Sequence, residues 1–144
     1  MLIKIKEGIS LKLSQGFGEG YKIYTNKIEQ DFIKPCFYIK VIESANTQMS
    51  TRKYKRINSV DIQYFPSLNG GNDETYPIIE QLFEWLEYIP FENDLVRATD
   101  MKFKTVDNEF HFLVNYNMDI LKNPDIQEYM ENLKVDTGVK EYDN

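Results

Sequence analysis

Three carboxylates on candidate strands, Asp61, Asp100 and Asp119, have the best claim to chemistry in this chain. Acidic oxygens gathered from neighbouring strands can hold a hard divalent ion and activate water, as in small metal-dependent nucleases. Spacing alone does not gather them, and carboxylates on the outer face of an antiparallel sheet are ordinarily solvated or paired with lysines, here Lys102 and Lys104. The single histidine, His111, excludes a zinc site of the usual His-rich type, and the single cysteine, Cys36, excludes an internal disulfide or a thiolate metal site. His111 is expected at the surface or an interface. Cys36 follows Pro35 at a strand start, where a buried small side chain is the expectation rather than a nucleophile. Gly16, Gly18 and Gly20 in G-F-G-E-G follow a helix and open none, so they predict a helix stop and not a phosphate loop. No serine lies in a nucleophile elbow. No catalytic residue, metal or cofactor is expected.

The other concentrated chemistry is cationic. Arg52, Lys53, Lys55 and Arg56 flank Tyr54, four positive charges within five residues. Cations interleaved with an aromatic ring can neutralise and stack on nucleic acid. They can also form a solvated hairpin tip, or bind an acidic protein surface, and the last reading ranks first. A net charge of −6 argues against duplex DNA as the main ligand, because phosphate affinity needs net cationic surface. Residues 123–144 carry six carboxylates against Lys134 and Lys140, a local charge of −4. That acidic stretch is a candidate partner for the basic one, within a subunit or between copies.

These residues need a scaffold. At 144 residues the chain fits one domain with a core that needs no disulfide or metal, and 14% aromatic content favours strands and contact surfaces. The N-terminus lacks the apolar run of a secretory signal and no stretch is long enough to span a bilayer, so neither export by that route nor a membrane location is expected. Leu2, Ile5, Ile9 and Leu13 predict a first amphipathic helix, weakened by Gly8. Tyr21–Thr25 predicts a short strand. Phe37, Ile39 and Val41 alternate with Tyr38, Lys40 and Ile42, and Val60, Ile62 and Tyr64 with Ser59, Asp61 and Gln63; the two runs predict an antiparallel hairpin whose polar connector forms a flexible basic arm.

Asn72 or Asp73 is expected to cap a second helix, with Ile79, Leu82, Phe83 and Leu86 on its buried stripe and Pro90 as its stop. A strand over Ala98–Val106, a tight turn at Asp107–Asn108 and a long return strand follow, the last placing Phe110, Phe112, Val114, Tyr116, Met118 and Ile120 on one face. Ile126, Tyr129, Met130 and Leu133 suggest a short C-terminal helix ahead of a disordered end. The expectation is an α+β domain over 1–122, with a mostly antiparallel sheet of two hairpins plus a short strand, two main helices on one face, and an acidic tail over 123–144.

The segments K-P-C-F-Y-I-K-V-I-E-S, Y-K-R-I-N-S-V-D-I-Q-Y-F-P, L-E-Y-I and H-F-L-V-N-Y-N resemble the phage and prophage tail terminator (tail completion) proteins, from the first helix to Leu121. The resemblance implies a structural, non-enzymatic subunit that forms a ring, typically a hexamer, on the head-proximal end of a tail tube. There it ends tube polymerisation and offers a surface to the head. It implies as partners further copies of itself, the tail tube protein and a sheath, head-completion or connector protein, with DNA passing through the lumen. The location implied is a virion tail or a headless, contractile bacteriocin-like particle, assembled in the bacterial host cytoplasm. Within that reading Arg52, Lys53, Tyr54, Lys55 and Arg56 are the expected partner or inter-subunit contact; the alternatives are a nucleic-acid-binding module and a small metal-dependent nuclease.

Overall fold

The structure, a computed structural model, describes residues 1–26, 32–68 and 70–122. The expected C-terminal helix and acidic tail lie outside these residues. The first helix, α1 (Leu2–Phe17), buries Ile5, Ile9 and Leu13, the stripe that the spacing predicts. It ends at Gly18, whose φ of 78° lies in the left-handed region and whose N–H donates to the Ser14 carbonyl. Then come β1 (Lys22–Tyr24), β2 (Cys36–Gln48), β3 (Lys53–Phe65), α2 (Asn72–Trp85), β4 (Tyr88–Phe91), β5 (Asp94–Val106) and β6 (Glu109–Leu121). The strands form one sheet in the order β1-β2-β3-β6-β5-β4.

The α+β class is as the sequence suggests, with two differences in the sheet. First, the sheet is mixed, because β1 pairs parallel with the start of β2, Lys22 opposite Cys36 through Tyr24 opposite Tyr38. Second, Pro90 does not stop a helix. The helix α2 already ends at Trp85, and Pro90 lies in β4, which pairs antiparallel with the start of β5 from Tyr88 opposite Arg97 to Phe91 opposite Asp94. Proline lacks a ladder donor and is tolerated on an edge strand, which β4 is. The hairpins among the described residues are therefore three: β2–β3, β4–β5 and β5–β6. In the last, Asp107 and Asn108 both take positive φ, 53° and 64°, the tight turn that Asp-Asn favours.

Among the described residues, contacts divide the chain into two compact units, one of Met1–Ser44 with Asn58–Asn117 and one of Ala45–Ile57 with residues 118–122. The first holds the core. Phe37 and Ile39 of β2, Val60, Ile62 and Tyr64 of β3, and Phe110, Phe112, Val114 and Tyr116 of β6 are buried, together with Ile78, Ile79, Leu82 and Leu86 from α2 and its end. Two polar devices complete it. Asn58, fully buried, accepts a 2.7 Å hydrogen bond from Ser44 Oγ and donates a 3.1 Å bond to the Tyr116 carbonyl. The Tyr116 hydroxyl donates to the Leu86 carbonyl at 2.6 Å, so the end of α2 is tied to β6. Burial holds that hydroxyl far above the ordinary tyrosine range, where it stays a donor.

Neither Asn72 nor Asp73 caps α2; its N-cap is Gly71, with no side-chain bond. Glu74 does a different job. Its carboxylate accepts from Ser67 N–H at 2.9 Å, from Ser67 Oγ and from the Tyr64 hydroxyl at 2.8 Å, fastening the start of α2 to the end of β3. The Ser67 bonds hold its carboxyl below the usual glutamate range. Because the folded value is lowered, this contribution to stability is full above the unfolded value of about 4.5 and is lost as pH falls through the folded value. Glu74→Gln is expected to cost about 1.5–3 kcal/mol at pH 7, the scale of hydrogen bonds to charged groups. Urea unfolding should show the gap between wild type and variant closing at pH 3; an equal gap at both values would remove this role for the carboxylate.

Candidate functional site: the basic hairpin tip

The basic run is not a flexible arm. Lys53, Tyr54, Lys55 and Arg56 are the first residues of β3, and only 49–52 form the turn, where the N–H groups of Met49 and Ser50 donate to the Lys53 carbonyl at 2.8 and 3.1 Å. The reason for the difference is physical. Ala45–Gln48 and Lys53–Arg56 carry no apolar alternation, yet ladder pairing uses only backbone groups and continues past the last core residue.

Within this second unit the tip is braced by the end of β6. Lys122 N–H donates to the Arg52 carbonyl at 2.6 Å, and Lys122 Nζ sits 4.7 Å from the centre of the Tyr54 ring. Lys53 Nζ lies 3.8 Å from Asp119 Oδ2, both half-exposed, and Arg56 Nε donates to Asn46 Oδ1. Lys122 is the residue the sequence does not signal: it is far from the run in the chain and joins it only through β6. It raises the cations of this unit's described residues to five and covers a face of Tyr54 on which a base would stack. The exposed Lys53–Asp119 pair contributes about 0–1 kcal/mol. The tip is thus an ordered, cationic surface on which Lys53 is exposed and Arg52, Tyr54, Lys55 and Arg56 are partly buried.

The candidate chemical residues are placed elsewhere. Asp61 Oδ2 is 2.8 Å from His111 Nδ1, and both side chains are mostly buried. His111 lies opposite the core positions of β6, the face that the alternation gives it for a surface or interface role, and there it is partly buried against Asp61. Asp100 is exposed beside the irregularity at Ala98/Asp100 in β5, and Asp119 pairs with Lys53. Among the described residues no three His, Cys, Asp or Glu side chains are grouped to hold a metal ion. Cys36 is buried, and burial pushes its thiol up to about 11, so it is no ready nucleophile. Among those residues, too, no helix is long and apolar enough to cross a membrane.

Three comparisons bear on this arrangement. No curated protein matches the chain. One solved structure aligns with 87% of this chain and 99% of its own at 13% identity and a TM-score of 0.42, too loose a likeness to equate the folds. A model of the family described as phage tail terminator protein matches residues 4–128, a span that holds most of α1, all of α2, β1 to β6 and the basic tip. On that match, the chain belongs to the phage tail terminator protein family.

Proposed function

We propose that this protein forms a ring on the head-proximal end of the tail tube, ends tube polymerisation there and presents a surface for joining the head. The observation that carries the reading is the family match over residues 4–128, which gives the chain a structural role in a phage tail. The contact surface in this reading is the hairpin tip of Arg52, Lys53, Tyr54, Lys55 and Arg56, joined by Lys122. A cap must copy the docking face of the repeating unit on one side and withhold it on the other, and a charged, ordered hairpin tip suits a contact made once per subunit. The partner is an adjacent subunit or the last ring of the tube, through an acidic surface. The ion pairs and the buried thiol described above favour assembly over catalysis.

Negative-stain imaging of the purified protein, alone and mixed with tail tubes, tests the reading. Rings, or an added density on one tube end, are the expected result. A persistent monomer that leaves tube ends bare and cuts DNA with magnesium would overturn it.

A further inference from the structure

Two stretches of sheet edge are left uncovered by any described strand. β1 covers only Cys36–Tyr38 of β2, so Ile39–Ser44 pairs with β3 on one side and with no described strand on the other. β4 covers only Asp94–Arg97 of β5, so Asp100–Val106 pairs with β6 alone. Most of both stretches is exposed, and neither contains proline. Open ladders of this length are templates for another strand, and proteins that must stay monomeric blunt them.

The two edges also have complementary polarity. β2 and β3 are joined by a short turn and so run antiparallel. Asn58 meets Tyr116 while Asp61 meets His111, so positions fall along β6 as they rise along β3, and that pair is antiparallel too. β6 and β5 are antiparallel by register. Directions thus alternate across β2-β3-β6-β5, and the two open edges run opposite ways. A second copy placed beside the first by rotation about an axis along the strands keeps these directions, so its β5 edge meets the first copy's β2 edge antiparallel.

We propose that copies of this chain join head to tail by pairing Asp100–Val106 of β5 with Ile39–Ser44 of β2 in the next copy, continuing the sheet across the subunit boundary. This rests on the ring reading and supplies its junction. The occupant is a second copy because the chain itself provides both halves, matched in length and opposed in direction. Two-fold pairing of β2 with β2 leaves the β5 stretch open, whereas a closed head-to-tail ring pairs both of these stretches in every copy. Lys40 on one edge and Lys102 and Lys104 on the other disfavour registers that set lysine against lysine, so the charges select among alignments.

Cysteine pairs combining Lys40→Cys or Ile42→Cys with Lys102→Cys or Lys104→Cys, oxidised in the assembled state, test the junction. One register should give a covalent ladder beyond the dimer, absent from each single variant. Hydrogen exchange of the unmodified protein is the second readout, with amides in 39–44 and 100–106 slowed about tenfold or more on assembly. Rings that show neither ladder nor protection overturn the edge junction and leave the ring reading standing. Dimers from Ile42→Cys alone show two-fold pairing and overturn it as well. No oligomer, alone or on tubes, overturns both.

Discussion

Gly8→Ala is expected to destabilise the protein by about 2 kcal/mol, and Gly8→Val by about 3 kcal/mol, on the scale of overpacked sites. Local propensity argues for the opposite sign, since alanine exceeds glycine by about 1 kcal/mol in a helix interior. Packing decides the outcome. Gly8 is buried where α1 crosses β4, and a Cβ built there would lie 2.3 Å from the Pro90 carbonyl oxygen, a backbone atom that cannot swing aside. The same β4 holds Ile89, fully buried, so moving the strand away opens the core beneath it. Urea unfolding of the two variants measures the effect. A more stable Gly8→Ala would show that propensity outweighs the contact and that α1 does not rest on β4 this closely. Gly16 has a related but softer constraint, because its Cβ would meet the Trp85 ring at 2.7 Å, and a side chain can yield where a carbonyl cannot.

Gly8 also shows where sequence reasoning meets its limit. Periodicity found α1 and α2 and the buried faces of β3 and β6, because each has a row of apolar residues at a fixed repeat and one face to bury. The turn at Asp107–Asn108 was legible from two residues suited to positive φ. What periodicity could not supply is anything held by partners distant in the chain. Gly8 reads as a weak point in a helix until Pro90 is known to lie against it. Pro90 reads as a helix stop because proline's commonest effect is local, and only its edge position allows a strand. Glu74 reads as a charge at a helix start, whereas Ser67 and Tyr64 make it a clamp. Lys53–Arg56 reads as a loop because its side chains do not alternate, although its backbone pairs. At the candidate site the charge was visible and the order was not: the brace from Lys122 and Asp119 depends on where β6 ends.

Reversing the four cations, Arg52→Glu with Lys53→Glu, Lys55→Glu and Arg56→Glu, is expected to abolish binding to tube ends while leaving the fold intact. The tip belongs to the second unit, and the Lys53–Asp119 ion pair within it is solvent-exposed. Exposed pairs contribute about 0–1 kcal/mol each, so the midpoint of thermal unfolding should move by only a few degrees. Arg56→Glu gives up the bond to Asn46, and Lys53→Glu sets a carboxylate beside Asp119, so the tip is the region where that small loss falls. Association is affected far more. Each reversal replaces an attraction to an acidic partner with a repulsion, and like charges facing each other across an interface cost several kcal/mol. Binding of wild-type protein should weaken as salt is raised, and the neutral pair Lys53→Gln with Lys55→Gln should fall between wild type and the full reversal. Counting capped tube ends by negative stain, alongside circular dichroism of each variant, separates loss of contact from loss of fold. If the fully reversed protein caps tubes as well as wild type does, the tip is a solvated hairpin end and the contact surface lies elsewhere on the subunit.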